Sequence, residues 1–249
     1  MCVVERWDVC GAAAADGMSA GDERAFSATR WTVVVRAQGT TPEAKAALSE
    51  LCAACYEPVR GFIRVWRRGD DRVDDLTHEF FEEILGRRGL AGADPGRGKF
   101  RSFLLGAVKH FLGRVSERER ALKRGGGVVP EGMEAAEGAE EPGLPPDAAF
   151  DRGWALALLA RALGVLEGQF AVEGKAEQFA VLKPWLTGDA GQRQAEAAEV
   201  LGMTETAVKV AIHRLRARFR GVVRAELAAT LVMPEQVDEE LGHLFAALQ

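Results

Sequence analysis

The stretch "GMTETAVKVAIHRLRARFR" (202–220) gathers residue types that bind nucleic acid. From Lys209 to Arg220 it carries five bases and no acid. An arginine can hold guanine by two hydrogen bonds in the major groove, worth about 1–3 kcal/mol of discrimination. Further cations on the same face hold phosphates and fix register. If the stretch is a helix, Val208, Ala211, Ile212, Leu215 and Phe219 recur at core spacing and point inward. Glu205, Thr206, Lys209, His213, Arg214 and Arg216 then point outward, with Arg218 and Arg220 further along. Residues near the N-terminal end of such a helix are the ones that reach base edges.

That face needs a support, and the preceding residues supply one. A short helix is expected from Gln194, with the small Ala198 where two helices cross closely. Gly202 permits the positive φ of a sharp turn. Thr204 can cap the second helix, worth about 1 kcal/mol. Val208 packs the second helix on the first. This Ala-x3-Gly-x5-Val spacing is a helix-turn-helix signal; an ordinary amphipathic hairpin shares its periodicity.

Two more charge blocks stand behind a net charge of −5. Between Arg97 and Arg124 nine bases face only Glu117 and Glu119. Between Gly125 and Asp151 there are seven acids and no base. Basic blocks of this density suit phosphates, although solvated helix faces also carry them.

The remaining chain reads as helices. Thr41-Pro42-Glu43 has a capping residue, a proline for the first helical position and an acid for the first turn. Leu48, Leu51, Cys52, Cys55 and Val59 follow at helical spacing, and Phe62, Val65 and Trp66 extend it past Pro58. A second helix is expected from about Val73 to Arg87, with Leu76, Phe80 and Ile84 inward and Asp75, His78, Glu79 and Glu82 in front. A Gly/Pro-rich turn, "GLAGADPGRGKF", precedes a long helix from about Phe100 to Lys123, whose apolar side is Phe103, Leu104, Val108, Phe111, Leu112 and Val115. Residues 125–150 have linker composition. Apolar periodicity resumes at Trp154, and Val237, Leu241, Leu244, Phe245 and Leu248 mark a short closing helix.

The fold class expected is all-α: two small helical domains joined by a flexible acidic linker, the second containing the helix-turn-helix. The boundaries are a loose extension over 1–25, a first domain over 26–124, the linker over 125–150, a second domain over 151–231 and a helical extension over 232–249.

Two stretches, "VDDLTHEFFEEIL" (73–85) and "RGKFRSFLLGAVKHFLGRVSERERALKRGGG" (97–127), taken in order with 192–220, resemble the extracytoplasmic-function sigma factors of bacterial RNA polymerase. "RWTVVVRAQGTTPEAKAALSELC" and "VDEELGHLFAAL" resemble a subgroup common in planctomycete-like bacteria. The resemblance covers about residues 26–249. It implies that Asp75, Leu76, His78, Glu79 and Glu82 dock on the β′ clamp of core polymerase. Asp75, Leu76, Glu79 and Phe81 match the family's Asp-Leu-x-Gln-Glu-x-Phe pattern, with His78 in place of the glutamine. It implies capture of a melted minus-10 element by Lys99, Arg101, Lys109, His110, Arg114, Arg118, Lys123 and Arg124, with Phe100, Phe103 and Phe111 nearby and mostly core. It implies reading of a duplex minus-35 element by Thr204, Glu205, Thr206, Lys209, His213, Arg214 and Arg216, with this second domain on the β flap. The acidic linker would then either mimic RNA in a polymerase channel or act as a plain tether. An anti-sigma factor or regulatory kinase is a further partner the resemblance leaves open.

Other chemistries find less support. Cys52 and Cys55, with two residues between them, sit in a helical pattern, not the βαβ setting of a redox motif, and no second pair completes a zinc site, so buried inert thiols are expected. "HEFFE" (78–82) lacks the second histidine of a zinc protease. No nucleophile triad or phosphate loop is evident, so no enzyme activity, cofactor or metal is expected. Glu5, Arg6 and Asp8 interrupt any leader, and the apolar run from Trp154 to Leu166 is too short for a membrane span and contains Arg161. A reduced, cytoplasmic setting without membrane partners follows. The rival reading is a stand-alone helix-turn-helix regulator that never touches polymerase, which would leave the 73–124 motifs without a role.

Overall fold

The computed structural model describes residues 41–85, 99–125, 144–188, 193–231 and 233–249. The expected N-terminal extension, the start of the first domain, most of the Gly/Pro-rich turn with Arg97, and most of the acidic linker lie outside these residues. So do the side chains of Lys123 and Arg124, whose backbone is helical.

Among the described residues every regular element is helical. The α-helices are α1 (Pro42–Trp66), α2 (Val73–Leu85), α3 (Phe100–Gly125), α4 (Pro146–Val172), α5 (Ala176–Leu182), α6 (Pro184–Thr187), α7 (Gln194–Leu201), α8 (Glu205–Ala228) and α9 (Val237–Ala246). A 3-10 turn, Pro234–Gln236, precedes α9. Helix α1 begins on its proline, where a missing N–H costs nothing, and runs through Pro58 to Trp66.

The chain divides into two compact units, with the boundary inside α4 between Ala157 and Leu158. The first unit buries Val59, Phe62 and Ile63 of α1, Leu76, Phe80 and Ile84 of α2, and Phe100, Leu104, Val108, Phe111 and Leu112 of α3. Of the six apolar positions expected on α3, only Phe103 is left half-buried. The start of α4 belongs to the same unit: Phe150 meets Phe62 edge-on at 6.3 Å, and Trp154 lies 6.1 Å from Phe100. Gly153 makes this approach possible, because a Cβ there would stand 3.1 Å from Cα of Pro58.

The second unit buries Leu158, Ala162, Leu166 and Phe170 of α4, then Phe179, Leu182, Trp185 and Leu186 of α5 and α6. Against them pack Ala197 and Ala198 of α7 and Val208, Ile212, Leu215, Phe219, Val223 and Leu227 of α8. Val237, Leu241 and Leu244 of α9 complete this core, and Arg224 of α8 donates to Asp238 of α9 at 2.5 Å. The C-terminal helix is therefore part of the second unit.

Two expectations need correction. Helix α4 starts at Pro146, inside the segment assigned to the linker, and its first half packs with the first unit and not with the second. The composition of 125–150 marks the absence of periodicity but not the point at which Pro146 and Asp147 begin a helix. Moreover α4 has 27 residues and an 18-residue window of mean hydropathy 1.5, so by length and composition it is sufficient to cross a membrane. The apolar run alone understated it. Of its buried positions, Phe150, Trp154, Leu158, Ala162, Leu166 and Phe170 follow a four-residue repeat, with Ala155 buried beside it. Only 28% of that window is buried, and Leu156 is 51% exposed, so packing in the two cores covers part of the apolar surface and not all of it.

Candidate nucleic-acid interface

Helices α7 and α8 are joined by three residues, and each turn position has a physical task. The Gly202 backbone adopts φ 61° and ψ 32°, a left-handed conformation that costs a side-chain-bearing residue about 1–2 kcal/mol. Its N–H donates to the Glu199 carbonyl at 3.2 Å, and Met203 N–H donates to the Ala198 carbonyl at 2.9 Å. Carbonyls that α7 leaves open at its end are thereby satisfied. Thr204 is extended, and its hydroxyl accepts from Ala207 N–H at 3.2 Å, capping α8. At the other end of α7 the Glu196 carboxylate accepts from Arg193 N–H at 3.3 Å. Ala198 and Val208 are buried, as a close crossing of the two helices requires.

The outward face of α8 carries Glu205, Thr206, Lys209, His213 and Arg214, all exposed, with Thr204 exposed at its start. Arg216 departs from expectation. It is half-buried, and its Nη2 and Nε donate to the Trp185 carbonyl at 3.1 and 3.4 Å. It bolts α8 to α6 and is not presented to a ligand. Arg218 likewise turns back, pairing with Glu173 at 2.8 Å and lying 4.6 Å above the Phe170 ring. The Arg214 to Arg220 alternation sends successive arginines to different sides of the helix, because two residues turn it by about 200°. Val210, which charge-based sorting passed over, is 45% exposed on the same face as Lys209 and Arg214. A cleft of about 570 Å³ runs along one flank of this face, between Thr206, Val210 and Arg214 of α8 and Phe170 and Gln178 of α4 and α5.

In the first unit, α2 exposes Asp75, His78, Glu79 and Glu82. Leu76, named with them, is 3% exposed and belongs to the core, so its part is to hold the helix in place. Buried Thr77 donates its hydroxyl to the Val73 carbonyl at 2.7 Å, which satisfies that hydroxyl inside the core. His78 Nε2 lies 3.3 Å from the Tyr56 hydroxyl.

The basic helix α3 spends much of its charge inside its own unit. Arg101 pairs with Asp151, Lys109 with Asp147 at 2.7 Å, Arg114 with Glu83, and Arg118 with Glu79 at 2.9 Å. Expected phosphate ligands therefore meet acids of α2 and α4, and one of those acids, Glu79, is itself an expected docking residue. Lys99 is half-buried at the start of α3 and His110 is exposed.

A further ionic cluster was not foreseen. Glu119 of α3 accepts from Arg67 and Arg72, each at 2.7 Å, and Asp70 accepts from the same two arginines at 3.0 and 3.1 Å. Hydrogen bonds from Arg67 and then Arg72 outweigh burial and hold the Glu119 carboxyl below its ordinary value of 4.5. Burial raises Asp70, but hydrogen bonds and charge from Arg72 and Arg67 bring it below its ordinary 3.8. The cluster fixes the α1–α2 turn on α3, and so fixes the angle at which α2 presents its acids.

Cys52 is half-buried and its thiol is pushed up to about 11 by burial. Cys55 is buried, and no group of three or more potential metal ligands occurs among the described residues. Compared with protein-family models, with curated proteins and with solved structures, the chain matches none.

Proposed function

We propose that the chain is a promoter-specificity subunit of RNA polymerase, of the sigma-factor type, whose α7, turn and α8 form a DNA-reading helix-turn-helix. The observation that carries the DNA reading is the construction of α8. A left-handed glycine and a threonine cap fix its start. A continuous apolar stripe fixes its back, and Lys209 and Arg214 stand exposed on its front. Such a helix offers its first turns to a major groove while its cations meet phosphates. The first unit extends the reading from DNA binder to polymerase subunit. The exposed Asp75, Glu79 and Glu82 on a rigid helix suit a basic partner surface, where they steer association and set register. On this reading no covalent step belongs to the chain. The α2 acids grip the polymerase clamp, the α3 cations take up the unpaired minus-10 strand, and α8 reads the minus-35 duplex.

The test is reconstitution. The full chain, mixed with sigma-free bacterial core polymerase, should comigrate with it on gel filtration and confer selection of start sites on a genomic template library. Failure to do either removes the polymerase part of the proposal.

One observation favours the rival reading of a stand-alone regulator. Arg101, Lys109, Arg114 and Arg118 already hold carboxylates, so single-strand capture by α3 requires exchange of those partners for phosphates. A regulator would retain duplex binding through α8 and show no comigration with core enzyme.

A further inference from the structure

We infer that Val210 determines specificity by packing its methyl groups against the 5-methyl of a thymine. The inference rests on the assignment of α8 to a major groove. At about 100° per residue, Val210 points about 170° away from the mean direction of Val208, Ile212, Leu215 and Phe219. It is thus at the middle of the outward face, while Lys209 and Arg214 lie to either side of it. Its side chain is 45% exposed, although the buried stripe opposite supplies the packing of this helix. A β-branched residue is a weaker helix former than alanine or lysine, so propensity does not account for valine here, and the cleft wall it joins leaves 45% of it exposed.

The neighbours fit a contact at close range. Thr206 lies one turn before Val210 and the small exposed Ala217 two turns after it, while the exposed His213 and Arg214 flank the line one turn after it. The flanking Lys209 and Arg214 are placed to reach outward on both sides, towards phosphates or base edges. Among the bases only thymine shows an apolar group in the major groove. An isopropyl group flanked by two cations is chemically matched to that methyl, and it offers nothing to the amino or carbonyl edges of the other bases.

The experiment uses the full chain, alone and bound to core polymerase, equilibrated with a random duplex library to find the enriched sequence. Each thymine of that sequence is then replaced singly by deoxyuridine, which removes only the methyl, and affinity is read by fluorescence anisotropy. One replacement should weaken the wild-type protein about fourfold, as expected for one apolar carbon returned to water. Val210→Ser should bind thymine and uracil duplexes equally, and Val210→Ala should show a reduced difference. Circular dichroism should show unchanged helicity in both. The inference is overturned if no uracil replacement matters to the wild type, or if the fourfold effect survives in Val210→Ser. An enriched sequence that is indifferent to every methyl removes this inference alone. Enrichment of no sequence in either condition removes the DNA-reading assignment, and the inference with it.

Discussion

Replacing Asp147 by Asn should strengthen single-strand binding and make it more sensitive to salt. In the structure the Asp147 carboxylate holds Lys109 at 2.7 Å, with the two side chains 54% and 38% exposed. A pair this open contributes only about 0.2–1 kcal/mol to stability. Loss of the acid from the first turn of α4 costs about 0.3–1 kcal/mol more through the helix dipole. The variant should therefore fold. The freed ammonium can take one phosphate, which adds about 0.7 to the slope of log affinity against log salt for a single strand. Between about 50 and 200 mM salt the variant should thus lose roughly 2.5-fold more affinity than the wild type loses. The assay is anisotropy of a labelled unstructured oligonucleotide over that salt range. Lys109→Ala in the Asp147→Asn background should return the slope to the wild-type value. An unchanged slope in Asp147→Asn would show that α3 does not offer Lys109 to nucleic acid. A steeper slope that persists without Lys109 would place the binding elsewhere.

Three more outcomes follow from named contacts. Arg216→Ala should lower stability by about 1.5–3 kcal/mol, because it removes charged hydrogen bonds to the Trp185 carbonyl. Arg214→Ala should stay within about 0.5 kcal/mol of wild type in urea unfolding and instead alter base preference; equal effects on stability would refute the division of roles. Gly202→Ala should destabilise by about 1–2 kcal/mol through its φ of 61°, with open space around the new methyl, and Gly202→Asn should recover part of the loss. The folded-state values of Glu119 and Asp70 lie below their ordinary ones, so their contribution is full above the ordinary range and fades as pH falls through the folded values. The stability gap between wild type and Glu119→Gln, measured by thermal melts, should accordingly be constant near neutrality and close below pH 4.5, and a gap independent of pH would contradict the network.

The helices were legible because local signals and packing agree. The proline of α1, the glycine and threonine before α8, and the apolar repeats of α2, α3 and α8 each act within a few residues, and the structure places their buried faces accordingly. The division of α4 between two cores was not legible, since a uniform four-residue stripe looks the same whichever unit covers it. Leu76 shows a related confusion: a residue can belong to a motif by keeping the helix seated and not by touching a partner.

The charged residues show why a surface is harder to read than a core. A charge block states how many cations a helix carries, but not what they face once the chain folds. Arg118 and Glu79 are 39 residues apart in sequence, and Arg101 and Asp151 are 50 apart. No local periodicity joins such pairs, so α3 read as an open cationic surface although acids of α2 and α4 already meet it. On α8 the same uncertainty falls within a few residues, and there angle resolves it. Arg216 and Arg218 lie close enough to the buried stripe for long side chains to bend back to Trp185 and Glu173, whereas Val210 lies opposite that stripe. Direction relative to the core, more than charge, therefore separates a side chain available to a ligand from one used by the fold. By that criterion an uncharged valine has a stronger claim to the proposed reading face than two of its arginines.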